Sequence, residues 1–176
     1  KKATAQFWDT AHRYLGHQLK VIRQVSSHTI DSYRDCLNSF IDYLERVENI
    51  SRKKISFHNF GKETIKRYQT WMITEQGLAP KTCNLRLTAI RSFLEYAAQE
   101  YLWLMPVYTD ACTIAGVKTP NHAIEYFEPD EMTALLAAPS GTSRTDRRNQ
   151  MMLIFLYDTA ARVAEARQVK VSDLHL

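Results

Sequence analysis

A chain of 176 residues that is 45 % apolar can build a sizeable core in one or two domains, and with only five glycines and five prolines its composition favours helices over a turn-rich β fold. No apolar run approaches the length of a membrane span and no signal-peptide pattern opens the chain, so the expected class is cytoplasmic and not membrane-embedded. Three widely spaced cysteines, Cys36, Cys83 and Cys112, form no Cys-x-x-Cys or Cys/His ligand pattern, which argues against zinc and for reduced thiols. The first residue is Lys1 and not methionine, which fits an excised fragment and equally fits processing.

The net charge of +4 is unevenly spread. Residues 1–120 carry 17 Lys/Arg against 11 Asp/Glu, a net +6, whereas residues 121–176 carry 6 against 8, a net −2. A basic front segment suits a polyanionic partner, although a solubilising charge excess would give the same count.

Apolar residues at helical spacing (Phe7, Ala11, Tyr14, Leu15, Leu19, Ile22) predict a first helix from about Thr4 to Gln24. Ser26-Ser27-His28-Thr29 is a break that supplies N-cap residues, and a second helix follows to about Val47 on the stripe Ile30, Tyr33, Leu37, Phe40, Ile41, Leu44. Lys53 to Phe57 reads as a connecting loop with a short extended piece. A third helix is expected from Gly61 to Gln76, with Ile65, Tyr68, Trp71 and Met72 inward. Gly77 and Pro80 end it.

The fourth helix, Pro80 to Tyr101, turns Cys83, Leu87, Ile90, Leu94, Ala97 and Tyr101 inward. Its opposite face offers Lys81, Asn84, Thr88 and Arg91, with Thr82 and Arg86 at the edges. Lysine and arginine suit phosphates, and asparagine can read an adenine edge; a solvated polar face is the competing reading. Four such helices with short links predict a bundle over residues 1–104. The period is lost over 105–124, which carries Pro106, Gly116 and Pro120 and reads as a linker. From 125 to 176, Glu128-Pro129-Asp130-Glu131 opens a helix that ends near Pro139. Ser140 to Thr145 is a loop, and Asp146 to Tyr157 is an apolar helix expected to be buried. His28, His58 and His122 read as loop residues. The nine tyrosines read as mostly core, and none is nominated as a nucleophile.

The apolar run ends in Thr159-Ala160-Ala161-Arg162-Val163-Ala164-Glu165. A guanidinium held between two helices would offer a planar fork to two phosphate oxygens, and Glu165, one turn on, could hold it or brace the turn. The bland alternative is a solvated Arg-x-x-Glu pair. This block resembles the Thr-Gly-x-Arg-x-x-Glu turn of the tyrosine recombinases, or phage integrases, in which the arginine binds the scissile phosphate. Two further stretches are similar to that family. Thr29-Ile30-Asp31-Ser32-Tyr33 opens a helix ending in Phe40-x-x-Tyr43-Leu44. Leu78 to Tyr96 resembles a Ser/Ala-x-x-Thr-x-x-x-x-Leu-x-x-Leu-Arg-x-Phe helix. One departure is Ala160, where the family usually has glycine; a positive φ there would strain alanine.

The resemblance implies an all-α front half, a SAM-like four-helix core-binding bundle, followed by the first helices of a mixed α/β catalytic domain. It implies double-stranded DNA as partner, contacted by Lys81, Thr82, Asn84, Arg86, Thr88, Arg91 and Thr29. Arg162 would be the catalytic residue and Glu165 its support. It implies no metal, nucleotide or other small-molecule cofactor, and a parent enzyme that assembles as a tetramer on paired sites. The family's lysine, His-x-x-Arg pair, further His or Trp and nucleophilic tyrosine would all follow Leu176. The expected parent cuts through a 3′-phosphotyrosyl link, and the 176-residue chain alone does not. A non-enzymatic DNA-binding module and a helical protein–protein scaffold are the two other classes the residues allow.

Overall fold

The computed structural model describes residues 2–120 and 126–173, and among these there is no strand. The chain divides into two compact units, Lys1–Pro120 and Asn121–Leu176.

In the first unit α1 (Lys2–Arg13) runs directly into a π-helical segment, Tyr14–Ile22. Arg23 N–H reaches back five residues to the Gln18 carbonyl at 2.9 Å. Each turn therefore takes up an extra residue. That geometry keeps Tyr14 and Leu19 both buried at a spacing of five, and it rotates Ile22, expected to face inward, out to 59 % exposure. α2 (Ser27–Arg46) starts at Ser26, whose hydroxyl accepts from Thr29 N–H at 3.2 Å, so the capping serine lies where the sequence break offered one.

The α2–α3 connection contains two short 3₁₀ turns, Arg52–Lys54 and Phe57–Phe60, in place of the expected extended piece. The Asn59 side chain accepts from Ser56 N–H at 2.9 Å and steers Phe57 and Phe60 into the core. α3 (Lys62–Thr74) is followed by Gly77 at φ +58°, a left-handed position that glycine takes without strain. α4 (Pro80–Glu100) opens on proline and buries Cys83, Leu87, Ile90, Leu94 and Ala97, as its period predicts.

The aromatic residues make the centre. Phe7 packs edge-on to Phe57 and Phe93 with centroids 5.4 and 5.8 Å away. Phe40 meets Phe60 at 4.8 Å and Tyr68 at 5.0 Å. Each ring of this kind removes a large apolar area from water and adds edge-to-face attraction. The buried phenols end on partners: Tyr14 donates to Ser92 Oγ (2.9 Å), Tyr68 to Ser39 Oγ (2.8 Å) and Tyr43 to Glu48 Oε1 (2.6 Å). Burial pushes Tyr14 up to about 12, and burial together with Glu48 does the same to Tyr43.

The expected linker over 105–124 differs from what is found as far as residue 120. A 3₁₀ turn at Leu102–Leu104 leads into α5 (Met105–Cys112), which opens on Pro106 and packs on α4, burying Leu104, Ala111 and Ile114. Eight residues were too few, and too weakly periodic, for the helix to show in the sequence.

The second unit holds α6 (Pro129–Ala137), α7 (Arg144–Thr159) and the single-turn α8 (Val163–Ala166), with a 3₁₀ turn at Val171–Asp173. α6 is capped by the Glu131 carboxylate, which accepts from Glu128 N–H at 3.0 Å, and α7 by Ser143, which accepts from Asp146 N–H at 3.1 Å. α7 is a helix as expected but not a buried one. None of its residues is buried, and Met151, Met152, Ile154 and Tyr157 are exposed. The described part of this unit brings too few apolar residues together to cover the face its sequence pattern calls for.

Candidate nucleic-acid interface

α4 presents the candidate surface. From Pro80 to Leu94 it contains no acidic residue; Glu95 is the first. Lys81, Leu85 and Thr88 point outward, one helical turn after another, with Leu85 45 % exposed. The neighbouring face of α2 is different, since Asp31, Asp35 and Glu45 are exposed along it. Much of the unit's arginine charge is spent internally. Arg13 meets Glu100 at 3.1 Å, Arg34 meets Asp31 at 2.6 Å, and Arg67 grips Glu48 at 2.8 Å. Arg52 pairs with Asp42 and Glu45. Among the described residues of this unit Lys66 is the one lysine in an ion pair, and Lys81 is among those with no carboxylate within 4.0 Å.

Of the residues nominated from sequence, Lys81 and Thr88 do lie on the open face of α4, and Thr82 is half-buried beside it. The Thr88 hydroxyl donates to the Asn84 carbonyl at 2.9 Å. Asn84 does not project away from the bundle. Its amide donates to Val117 O at 2.8 Å and its oxygen accepts from Val117 N–H at 2.7 Å, a reciprocal pair that leaves it unable to present an amide to a base. Arg91 likewise turns onto the end of α5, where it donates to Ala111 O at 3.1 Å and to Ile114 O. Ala111 O also accepts Ile114 N–H at 3.3 Å, and Ile114 follows the helix, so the guanidinium pins the end of α5 to α4. Gln69 of α3 adds a bond to Ala115 O at 2.9 Å.

Residues 111–117 are thus stapled across α3 and α4. Gly116 permits it: a Cβ there would lie 2.9 Å from Asn84 Oδ1. Arg86 is half-buried in a groove shared with Asp35 and Asp42, where its charge acts against the burial that raises Tyr68 and Cys36. Thr29 belongs to the α2 cap, its hydroxyl 3.0 Å from that of Ser26. Leu85 escaped the sequence reading because an outward leucine breaks no helical period. The roles of Asn84 and Arg91 were hidden because their partners are backbone atoms some twenty to thirty residues away in the chain.

The Arg162 turn is the second candidate. α7 stops at Thr159, whose hydroxyl donates to Phe155 O at 2.6 Å and accepts from Ala161 N–H at 3.3 Å. Ala160 adopts φ +50°, ψ +23°, the left-handed conformation in which alanine is strained, at a cost of roughly 1–2 kcal/mol. Arg162 then sits at the start of α8, 85 % of its side chain exposed. Glu165 performs both of the tasks considered for it. One oxygen holds the Arg162 guanidinium at 2.9 Å and the other accepts Arg162 N–H at 2.8 Å. Those two bonds hold the Glu165 carboxyl below the usual carboxylate range, the backbone one most strongly. The guanidinium keeps donors free for an anion. α8 is a single turn, so its dipole adds little to them. His58 lies against Trp103, with ring centroids 5.8 Å apart, and His122 falls outside the described residues. Among the described residues no cluster of three His, Cys, Asp or Glu could hold a metal ion, and no described helix is long and apolar enough to cross a membrane.

Comparison with known proteins agrees with this layout. Residues 12–101 match the phage integrase N-terminal SAM-like domain. The tyrosine recombinase XerD of Halalkalibacterium halodurans is 35 % identical over 163 residues, 91 % of this chain and 51 % of the relative. A Sinorhizobium fredii protein named as an integrase/recombinase, y4rC, is 30 % identical over 86 % of this chain and 46 % of its own length. The tyrosine recombinase XerC of Staphylococcus haemolyticus is 24 % identical over 91 % of this chain and 50 % of its own. The chain spans about half the length of these relatives, and no solved structure matches it. With the match to the SAM-like domain covering residues 12–101, the chain belongs to the tyrosine recombinase, or phage integrase, family.

Proposed function

We propose that this chain supplies the DNA-gripping portion of a site-specific recombinase. The first unit lays the open face of α4 against duplex DNA, and the second brings Arg162 to the scissile phosphate. The observation that carries the reading is the acid-free stretch Pro80–Leu94 with Lys81 outward, on a unit whose net charge is +6. A helix of this size fits the major groove, and Lys81 in its first turn suits a phosphate beside it.

In the complete enzyme a tyrosine oxygen attacks the phosphate, the bond to the 5′ oxygen breaks and a 5′-hydroxyl leaves, and the tyrosine is left joined to the 3′ phosphate, so that a phosphodiester is kept for rejoining. Charge builds on the non-bridging oxygens during that attack, and Arg162 meets it with a forked donor that stays protonated at any working pH. Glu165 holds the fork in place. The chemistry needs neither a metal nor a nucleotide, and the enzyme works as a tetramer on paired sites in the cytoplasm.

The test is binding of the 176-residue chain to a duplex by fluorescence anisotropy across a salt series. Affinity should fall steeply with salt, because each neutralised phosphate releases counterions. Lys81→Glu should weaken binding at every sequence and flatten the salt slope by about one. Binding insensitive to salt, or untouched by Lys81→Glu, would remove α4 from the interface.

A further inference from the structure

We infer that Leu85 is the base-reading residue of α4 and that what it reads is the 5-methyl group of a thymine in the major groove. The inference rests on the DNA-binding reading above. It follows from what the open face has left to offer once its internal bonds are counted. Asn84, the residue with the chemistry to pair with adenine, has its amide occupied on both sides by Val117. Arg91, which could fork onto guanine, has its Nε and Nη2 edge turned back onto Ala111 O and Ile114 O. Arg86 is half-buried in the groove it shares with Asp35 and Asp42. The Thr88 hydroxyl donates its one hydrogen bond to the Asn84 carbonyl. Lys81 is in the first turn of α4, where a long flexible ammonium suits a phosphate.

Leu85 stands between Lys81 and Thr88 with nearly half its surface in water, while the other large aliphatic residues of α4, Leu87, Ile90 and Leu94, are buried. A leucine has no hydrogen bond to give. The apolar group that a base pair shows in the major groove is the thymine methyl, and burying one against a leucine removes both from water.

The experiment uses the whole chain. A random duplex library is selected for binding, and the selected duplex is prepared twice, with dT and with dU, which differ only by that methyl. The selection should fix an A·T pair at one position or more. The dU duplex should bind about three- to fivefold more weakly, the effect of about one buried carbon. With Leu85→Ala the two duplexes should bind equally. Because Leu85 is not part of the core, the variant should keep the wild-type melting temperature, and the dT/dU comparison needs no variant at all. Equal affinity of the wild-type chain for dT and dU, a selected sequence with no fixed A·T pair, or an undiminished dU penalty in Leu85→Ala would each overturn the assignment of Leu85 while leaving DNA binding intact. Absence of salt-sensitive binding to any duplex would instead overturn the DNA-binding reading, and this one with it.

Discussion

At Arg162 the geometry leaves the proposed catalytic role testable apart from the fold. One guanidinium donor is spent on Glu165, and the side chain is otherwise in solvent, so nothing in the unit depends on it for packing. In the complete recombinase Arg162→Ala is expected to lower the cleavage rate by a hundred- to a thousandfold, about 3–4 kcal/mol, while specific DNA binding changes little. Cleavage of a radiolabelled site under single turnover, alongside a binding titration, measures the two separately; cleavage at the wild-type rate would leave the turn with a structural role only. Arg162→Lys should restore part of the rate, since a point charge cannot span two oxygens. The pairing of Arg162 with Glu165 was legible in the sequence because the two residues are one turn apart. The left-handed Ala160 was legible as a conditional strain, and the structure meets the condition. Asn84 and Arg91 were not. On a helical wheel a polar residue bound to a distant carbonyl looks the same as one in water.

At the scale of elements, the helices themselves were readable to within a few residues, because long amphipathic periods and their caps are written in adjacent residues. What escaped were pieces whose form is set by tertiary partners: the π segment, the 3₁₀ turns and α5. The stapled stretch 111–117 shows why. Its conformation is decided by three side chains of α3 and α4, and its one local sign is Gly116. Gly116→Ala should push Asn84 off Val117 and cost about 1–2 kcal/mol of the first unit's stability, the usual effect of disturbing a half-buried hydrogen-bonded pair. Urea unfolding followed by circular dichroism gives the number, and hydrogen exchange at the Val117 amide should show the same loss locally. An unchanged midpoint with an unprotected Val117 amide in the wild type would mean the staple contributes nothing.

For the whole molecule, stability is concentrated in the first unit, where the described buried core lies, and its acid response has a named source. Glu48 accepts from Arg67 twice and from Tyr43, and these bonds hold its carboxyl below the ordinary value near 4.5, with Arg67 the larger cause. A carboxyl depressed on folding stabilises above its unfolded pKa, and that contribution is lost as pH falls through the folded value. Unfolding free energies measured between neutral pH and about pH 3 should therefore decline on acidification. Glu48→Gln should be less stable at neutral pH and show a shallower decline. Parallel curves for the two proteins would place the acid sensitivity elsewhere.

The π segment at Tyr14–Ile22 is, in effect, an insertion stored inside a helix. Tyr14 and Leu19 face the core five residues apart, where an α-helix would need four. A chain one residue shorter at Gly16, whose surroundings are empty, could close that stretch to α geometry and keep both side chains where they are. Length variation here is thus invisible to the packing on either side. The first helix would then lose a residue without a loop to absorb it.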